Sequence, residues 1–485
     1  MRTLINAISM LVLIYFVAMQ LYMLALAILS ARALYKQRMF ERFGRVQDML
    51  GSDLSPPVSI VVPAYNESVG IVESIRSMAM VTYPKFEIVV VNDGSKDDTL
   101  EKMIEHFKML AVPMPFRPSI KTADVRQVFH ARLPVPITLV DKANGGRADA
   151  LNAGINVARY PYVMLTDADV LIDGDALVNS MRHVAEDRTR TVGVGGNVRP
   201  LNGCTVRHGH IVEAKVPTGW LERLQMLEYI RSFVGARPGW SSINSLIFLS
   251  GAFGIFLRQA VVDVGGLTHG HFGEDLDLSM RIHRHYRRLK KPYRMVYAPS
   301  AVVWTEVPST RAVLRRQRIR WHRGLLRAIW DFRSSLFNPR HGPIGMLGWP
   351  AMFFFEFLAP IIEFVGYLVV PISFLFGGIN PYPALLLLMI AFLAGAFTSL
   401  LALFLDERFG YFNKPLEALT LLSLVFVENM GLRQQTVWWR IRAIAGGSST
   451  KQWGDMQRKG VSNLSGKTAP PAQPAVSVNP VQPET

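Results

Sequence analysis

The chain has 485 residues, of which 50% are hydrophobic and 19% charged, and its mean hydropathy of +0.20 indicates that part of it lies in lipid. Lysine and arginine number 53 against 37 acidic residues, and no zinc-finger, homeodomain or RNA-binding signature accompanies this excess, which favours an anionic substrate or lipid surface over nucleic acid. The single cysteine, Cys204, excludes an internal disulfide and a zinc site made of cysteines alone.

The first predicted element is an apolar helix over residues 4–30. It is too long for the core of a cleavable signal peptide and long enough to cross a bilayer. One basic residue, Arg2, precedes it, and five follow it: Arg32, Lys36, Arg38, Arg42 and Arg45. Because positive charge stays on the cytoplasmic side, we expect the N-terminus outside. A membrane helix over residues 1–33 and a basic cytoplasmic linker over residues 34–57 follow from this.

Residues 58–310 have the pattern of an α/β domain. Four short apolar runs, each followed by polar turn residues, predict strands: VSIVVPAYNE, FEIVVVNDGS, PITLVDK and YVMLTDADV. A helix over residues 68–82 separates the first two, and this order predicts a parallel sheet with crossover helices. Ligands of such sheets bind at the carboxyl ends of the strands. Residues 108–132 are predicted to form an irregular insertion.

Membrane-related segments return after residue 310. Residues 311–340 predict an amphipathic helix in the membrane interface, with arginines on its other faces and one apolar stripe made of Leu314, Trp321, Leu325 and Ile329. Residues 344–377 are apolar but interrupted by proline and glutamate, residues 384–405 predict a spanning helix, and residues 416–427 predict a shorter, half-buried or re-entrant helix.

The last basic residues place the tail, residues 446–485, in the cytoplasm. That orientation requires an even number of crossings after the α/β domain. Either residues 416–427 do not cross fully or residues 344–377 cross twice, and we favour the former. From about residue 465 the proline- and alanine-rich tail is expected to be disordered.

Two polar strand ends are candidates for nucleotide binding. Asp93 follows the second strand, where it either shapes a turn or accepts a hydrogen bond from a nucleobase. The segment DKANGGRADALNAG places Lys142, Gly145, Gly146 and Arg147 before a helix. Glycines let the backbone approach a ligand and the cations suit a diphosphate, although a plain loop before a helix has the same pattern.

The segment TDADV places Asp167 and Asp169 directly after a buried strand. Two carboxylates at i and i+2 in a turn can both face one hard cation, which would neutralise a diphosphate leaving group. A pair of helix caps is the alternative. Taken alone, this motif is weak because it occurs by chance in many proteins.

Two further segments carry candidate groups for acceptor chemistry. Glu274 and Asp275 lie where a loop enters a helix, so an acid there either complements the helix dipole or serves as a general base. The small residues of FLSGAFG, including Ser250 and Gly251, leave room for an extended ligand or for close backbone packing. Four nearby histidines lack the ligand spacing of a metal site, and we discount them: His269, His271, His283 and His285.

The segment QRIRW places Gln317, Arg320 and Trp321 on one face of the amphipathic helix. An amide, a guanidinium and an indole together can hydrogen-bond to a sugar, neutralise a phosphate and stack on a ring. A basic helix with tryptophan at the lipid interface explains the helix as a whole, but it does not explain Gln317.

In this order, the motifs VVPAYNE, VNDGS, KANGGR, TDADV, SGAFG, GEDLDL and QRIRW resemble the family-two inverting glycosyltransferases, and more narrowly their membrane-embedded processive synthases of hyaluronan, chitin, cellulose and poly-N-acetylglucosamine. The resemblance implies a Rossmann-like, A-type nucleotide-sugar-binding domain inserted between transmembrane helices. The chain departs from the common pattern at Gly273, where many members have threonine, and at Arg147, where lysine is common.

The resemblance also implies roles for matching positions. Donor binding falls to Tyr65, Glu67, Asp93, Lys142 and Asp167. Asp169, the more direct ligand, and Asp167 bind Mg²⁺ or Mn²⁺, and Asp275 is the catalytic base. The acceptor and diphosphate site comprises Glu274, Gln317, Arg320, Trp321, Ser250 and Gly251.

The implied activity moves a sugar from a UDP-sugar, with UDP-N-acetylglucosamine as our choice, to a growing β-linked polysaccharide with inversion. The implied setting is the inner or plasma membrane, with the catalytic domain in the cytoplasm and export or accessory subunits as further partners. The alternative within the enzyme class is a single addition to a lipid or lipid-linked acceptor. Two other interpretations are disfavoured. A transporter would show paired repeats, which this sequence lacks, and an inactive partner subunit would not be expected to keep all the acidic positions intact.

Overall fold

The computed structural model describes residues 2–43, 55–113, 118–207, 209–375, 381–410, 415–428 and 431–446. The strands of these residues are β1 (Val58–Ala64), β2 (Phe86–Asn92), β3 (Leu110–Val112), β4 (Val125–Ala131), β5 (Ile137–Lys142), β6 (Tyr162–Leu165), β7 (Leu171–Ile172), β8 (Thr191–Pro200), β9 (Thr205–Arg207), β10 (His210–Glu213), β11 (Gly254–Leu257) and β12 (Arg294–Thr305). Ten of them form one sheet in the order β3-β4-β5-β2-β1-β6-β11-β8-β12-β7, and β9 pairs with β10 separately.

Fifteen α-helical segments accompany these strands in the described residues. They are α1 (Arg2–Phe43), α2 (Ile71–Ala79), α3 (Thr99–Phe107), α4 (Arg147–Val157), α5 (Ala176–Glu186), α6 (Trp220–Ile230), α7 (Arg237–Ser242), α8 (Arg258–Asp263), α9 (Glu274–Arg288), α10 (Arg311–Asp331), α11 (Trp349–Ala351), α12 (Ala359–Leu375), α13 (Pro381–Glu407), α14 (Pro415–Val427) and α15 (Leu432–Ala445). Three π-helical segments interrupt them at Arg231–Ala236, Ile344–Gly348 and Met352–Phe357.

The centre of the large sheet is parallel, as predicted. Strands β5, β2, β1 and β6 are neighbours and run in one direction, with β1 and β2 in register from Val58 opposite Phe86 to Ala64 opposite Asn92. Their β-branched, apolar residues are buried on both faces, which is typical of a parallel sheet covered by helices. The carboxyl ends of all four strands therefore lie at one edge of the sheet.

Two predictions for this domain were wrong in detail. Residues 108–132 contain β3 and β4, which add antiparallel strands to β5, so this insertion extends the sheet. The helix predicted over residues 68–82 is shorter, Ile71–Ala79. The chain before it is instead fixed to the next loop, because the backbone N–H of Ser68 donates to Asp97 Oδ2 at 3.1 Å.

The second half of the sheet is mixed. Strand β11 runs antiparallel to both β6 and β8, and β12 runs parallel to β8. Strand β11 follows the small-residue segment SGAF, whose turn is closed by a hydrogen bond from Phe253 N to Ser250 O at 2.9 Å. The reversal brings that turn to the same edge as the carboxyl end of β6.

Two segments of the described chain are long and apolar enough to cross a membrane, Ala7–Met39 and Ile344–Val369. Helices α14 and α15, bent by 58°, qualify only if they are counted as one span. The predicted span at residues 384–405 lies in α13, whose first side chains fall outside the described residues. Helix α1 continues to Phe43, so the predicted linker begins as helix. Residues 44–54 and the tail from residue 447 also lie outside the described residues.

Helix α10 packs most of the predicted apolar stripe against protein, together with side chains outside that stripe. Its buried side chains include Leu314, Arg318 and His322, whereas Trp321 is 41% exposed. Arg318 makes two hydrogen bonds to Glu228 of α6, at 2.6 and 2.7 Å. Leu325 and Ile329 pack against a buried cluster, so Trp321 is the one stripe residue that is exposed, and the paired Arg318 occupies a buried position that hydrophobicity alone assigns to the surface.

Candidate active site

The loops that follow β1 and β2 form the first wall of the site. Backbone N–H groups of the first loop donate to side-chain hydroxyls that follow β2, from Asn66 N to Ser95 Oγ at 3.0 Å and from Glu67 N to Thr99 Oγ1 at 2.9 Å. Tyr65, the first residue after β1, is 44% exposed beside them. The structure therefore places Tyr65 and Glu67 at the predicted edge, on a loop that the protein holds in a fixed shape.

Asp93 binds the neighbouring loop of its own chain. Its Oδ1 accepts hydrogen bonds from Lys142 Nζ at 2.6 Å and Gly145 N at 3.0 Å, and its Oδ2 accepts one from Gly146 N at 2.7 Å. Gly146 has φ of 87°, which side chains with a Cβ rarely adopt. The carboxylate is 3% exposed, so its first role is to shape the Gly-Gly turn that starts α4.

Lys142 is fully buried between two aspartates. Its ammonium contacts Asp93 Oδ1 at 2.6 Å, Asp149 Oδ2 at 2.5 Å and its neighbour's carbonyl, Ala143 O, at 2.6 Å. An ammonium has three donors, and all three are used here. The side chain therefore does not face the cleft, and direct contact with a ligand would require it to give up one of these partners.

Asp167 and Asp169 lie where β6 ends, and both side chains are partly exposed. Asp167 Oδ1 accepts a hydrogen bond from Arg147 Nε at 2.6 Å. The nearby backbone is fixed by the hydroxyl of Thr166, which donates to Ala252 O at 2.8 Å. The predicted metal-binding turn is thus at the sheet edge, next to the SGAFG segment.

Arg147 joins three of the sequence motifs. Besides Asp167, it donates from Nη1 to Glu274 Oε1 at 2.6 Å and from Nη2 to Gly251 O at 2.9 Å. A Cβ on Gly251 would lie 3.2 Å from Nη2, so a larger residue there would make the guanidinium shift by a few tenths of an ångström. The charges of Asp167 and Glu274 raise the pKa of Arg147 against the effect of burial. The guanidinium is therefore a permanent cation at the centre of the site.

Asp275 lies in the first turn of α9, directly across from the SGAFG turn. Its Oδ2 accepts from Gly251 N at 3.2 Å and its Oδ1 from Leu276 N at 2.9 Å. Burial, and then the charge of Glu274, raise the pKa of the Asp275 carboxyl, while these hydrogen bonds and Arg147 oppose the rise. A carboxylate with a raised pKa is a stronger base than an ordinary aspartate, which suits it to accept a proton.

The QRIRW helix, α10, borders the same site. Desolvation lowers the pKa of Arg320, and the charges of Glu274 and Asp167 oppose that change, so its guanidinium is close to the acidic cluster. Gln317 Oε1 is buried without a hydrogen-bond partner among the described residues. Trp321 is partly exposed, with Arg318 over its ring at 4.7 Å. Of the predicted trio, Arg320 is therefore the side chain that lies near the acidic residues Asp167, Glu274 and Asp275.

The histidines near α9 have structural partners. His283 is buried, with Nδ1 2.8 Å from the Tyr293 hydroxyl and Nε2 2.9 Å from Leu246 O. His271 Nδ1 accepts from Gly273 N at 3.1 Å, and because it accepts there, the ring proton belongs on Nε2. These contacts support the turn that carries Glu274 and Asp275.

The residues at the end of β6 fit a hard divalent cation that is shared with a diphosphate. Carboxylate oxygens are the ligands such ions prefer, and Mg²⁺ in particular is often bound by one or two carboxylates plus substrate phosphates. Within the described residues, no group of three acidic, histidine or cysteine side chains gathers to hold an ion. At the end of β6 the described residues therefore offer the two aspartates, and phosphate and water would supply the other ligands.

Sequence reasoning missed Asp149. It is 1% exposed, binds Lys142, and accepts from Ala123 N at 3.1 Å; His269 Nε2 lies 3.2 Å from its Oδ1. The signal was present in the printed motif, because an aspartate on the buried side of the alanine-rich helix α4 needs a partner.

Comparison with known proteins gives one family for most of the chain. A family model described as glycosyl transferase family 2 matches residues 59–236, and one described as glycosyl transferase family group 2 matches residues 162–400. Together they cover the sheet, the three loops joined by Arg147, and α10.

Curated relatives extend over more of the chain. A poly-β-1,6-N-acetyl-D-glucosamine synthase from Staphylococcus epidermidis is 27% identical over 399 residues, which is 80% of this chain and 81% of the relative. One from Staphylococcus aureus strain COL is 29% identical over 290 residues, 58% of each. Among solved structures, this chain is similar to a mannosyltransferase from Pyrobaculum calidifontis in complex with GDP-Man and Mn²⁺, at 19% identity and a TM-score of 0.45. The alignment covers 87% of this chain and 98% of the mannosyltransferase.

Proposed function

Because this chain belongs to the family-two glycosyltransferases and is an inverting nucleotide-sugar transferase, we propose that it transfers N-acetylglucosamine from UDP-N-acetylglucosamine to the end of a growing β-linked polysaccharide. One observation carries the proposal: Arg147 brings the metal-binding turn, the acceptor turn and the start of α9 to one point at the sheet edge. The sugar is inferred from the names of the two staphylococcal relatives.

The donor would bind along the carboxyl ends of β1, β2 and β5. Tyr65 is exposed there and offers a ring for the uracil, and the Glu67 carboxylate is on the same loop. Asp93 and Lys142 would shape this pocket indirectly, because their hydrogen bonds fix the Gly-Gly turn. The N–H groups of Gly145 and Gly146 are held by Asp93, so the backbone N–H groups of the first turn of α4 are the ones proposed to bind the diphosphate.

Asp275 is proposed as the general base. Its carboxylate removes the proton from an acceptor hydroxyl as the hydroxyl oxygen forms a bond to the anomeric carbon. The bond from that carbon to the diphosphate breaks on the opposite face, so an α-linked donor gives a β-linked product and UDP. Gly251 N and Leu276 N, which hold the two carboxylate oxygens, keep the base in one orientation.

Charge on the departing diphosphate would be stabilised from two sides. When bound to Asp167 and Asp169, Mg²⁺ or Mn²⁺ supplies positive charge to the phosphate oxygens. Arg147 and Arg320 supply guanidinium cations, because arginine keeps its charge at physiological pH. Buried, fixed charges act strongly because water does not screen them.

The acceptor is proposed to lie between the SGAFG turn and α10. The unpartnered Gln317 Oε1 is an acceptor that a sugar hydroxyl can satisfy, and leaving it unpaired costs free energy. Ser250 and Gly251 leave space beside Asp275, and Trp321 offers a ring face for a sugar.

We also propose a multi-pass membrane protein with its catalytic domain in the cytoplasm, supported by the basic residues that follow the first apolar helix.

The test is sugar transfer by purified protein in lipid nanodiscs. Radiolabelled UDP-sugars are offered one at a time with Mg²⁺ or Mn²⁺, and the products are separated by size. A ladder or high polymer formed from UDP-N-acetylglucosamine alone supports the proposal. A single lipid-soluble product would replace it with a one-step transferase, and polymer from another sugar would correct the donor.

A further inference from the structure

Arg147 holds the carboxylate that the proposed metal needs. Its Nε is 2.6 Å from Asp167 Oδ1, and its two other nitrogens are used by Glu274 and Gly251. The side chain is 14% exposed, so the contact is largely shielded from solvent. A divalent ion on the same oxygen would therefore meet a nearby positive charge in a poorly screened environment.

A diphosphate changes this balance. Guanidinium groups bind phosphate oxygens through two parallel hydrogen bonds, so Arg147 can exchange Asp167 for a phosphate without losing a charge-assisted contact. The added negative charge also offsets the repulsion between Arg147 and the ion. Since the described protein offers no more than two carboxylates at the end of β6, the phosphates would at the same time complete the coordination shell.

We propose that Arg147 makes metal binding conditional on the nucleotide: it occupies Asp167 while the donor is absent and releases it when the diphosphate arrives. This inference rests on the proposed function for the identity of the donor and of the metal ligands. Its consequence is a positive coupling between Mn²⁺ and UDP, and by thermodynamic linkage each increases the affinity of the other by the same factor.

The shape of the arginine side chain is part of the reason. An arginine fork has fixed donors that reach Asp167, Glu274 and Gly251 O together. A lysine is a single compact charge that cannot span these three acceptors in the same plane. Arg147→Lys should therefore keep a cation near the diphosphate but loosen the hold on Asp167.

The experiment measures Mn²⁺ binding to the full chain in nanodiscs by electron paramagnetic resonance of free Mn²⁺, without and with saturating UDP. We expect the wild type to bind Mn²⁺ at least about 10-fold more tightly with UDP. Arg147→Gln should bind Mn²⁺ more tightly than the wild type in the absence of UDP, and its coupling factor should fall toward one. Arg147→Lys should fall between the two, and it carries the test if Arg147→Gln does not fold.

Two controls isolate the effect. Asp167→Asn should lose Mn²⁺ binding in both conditions, which identifies the site. Arg159→Gln removes one positive charge from an exposed side chain just before β6, at the opposite end of that strand, and should match the wild type. Unchanged coupling in both Arg147 variants, or weaker Mn²⁺ binding without UDP in them, would overturn the proposal, as would Mn²⁺ binding that survives Asp167→Asn.

These titrations use no sugar transfer, so they separate this inference from the proposed function. Coupling that depends on Arg147 supports the inference even if no N-acetylglucosamine polymer forms in the transfer assay. A normal polymer with no coupling in the wild type refutes the inference and leaves the proposed function in place.

Discussion

Replacing Lys142 with methionine should destabilise the catalytic domain by about 3–5 kcal/mol, the cost of removing one partner from a buried ion pair. The lysine is 0% exposed, and its ammonium is 2.6 Å from Asp93 Oδ1 and 2.5 Å from Asp149 Oδ2. Both carboxylates are buried, so the substitution leaves two like charges with no cation between them. Methionine fills most of the volume, which limits the change to charge and hydrogen bonding.

The assay is thermal unfolding of the purified protein in nanodiscs, followed by tryptophan fluorescence. A loss of about 3–5 kcal/mol lowers the Tm of a domain of this size by about 6–20 °C. The double variant Lys142→Met with Asp149→Asn is the matched control, because it removes one of the two unpaired charges while the amide can still accept from Ala123 N. It should unfold at a higher temperature than Lys142→Met alone.

The opposite result would identify Lys142 as a ligand-binding residue. That result would be an unfolding temperature for Lys142→Met within about 2 °C of the wild type, less than the shift from 1 kcal/mol in a domain of this size, together with a loss of UDP affinity of more than about 10-fold. It would mean that the ammonium leaves its aspartates and contacts the nucleotide. In that case the buried cluster would describe only the ligand-free arrangement.

Three further predictions concern Asp275 and Arg237. Asp275→Asn should lower the rate of transfer by at least about 100-fold while UDP affinity measured by calorimetry stays within about 3-fold, because the base contacts the acceptor and not the nucleotide. Because the Asp275 pKa is raised and the base works deprotonated, kcat/KM should fall with decreasing pH along a limb above about 4, the ordinary value. Glu274→Gln, which removes a neighbouring negative charge, should move that limb to lower pH, and an upward move would contradict the assignment. Arg237→Met should unfold at the same temperature as the wild type or a higher one, because the buried Arg237 Nη1 has no partner among the described residues. A marked loss of stability would show that the contacts of Arg237 with the Phe233 and Phe248 rings outweigh this cost.

The strands that build the site could be predicted because each carries its own signal. Runs such as VSIVV and EIVVV are buried on both faces, and such runs followed by turn residues indicate a parallel sheet. That topology alone brings Asp93 and Asp167 to one edge. The A-type fold and the family assignment are confirmed, and the proximity of the motifs follows from them.

The roles within that edge could not be predicted from the same signals. The sequence does not distinguish a lysine that faces a ligand from one buried between two aspartates, because Asp149 is separated from Lys142 by a turn whose shape depends on Gly146. The antiparallel strands β3 and β4 were also missed, because β3 is a three-residue edge strand and β4 is only partly buried and lacks an apolar run. Both errors arise where tertiary contacts determine what local sequence leaves open.

Helix α10 links the site to the apolar helices through pairs that hydropathy does not reveal. It carries Arg320 near the carboxylates of the site, and its Leu314 packs with Trp439 of α15 in one buried cluster. In turn Arg433 of α15 makes two hydrogen bonds to Glu363 of α12, at 3.0 and 2.8 Å. This ion pair, in which Glu363 is 7% and Arg433 35% exposed, connects α12 to α15, and α10 is packed on α15. A displacement of α10 when acceptor binds would therefore be resisted or transmitted by helices of the apolar region, which is the physical connection that synthesis coupled to passage of the product requires.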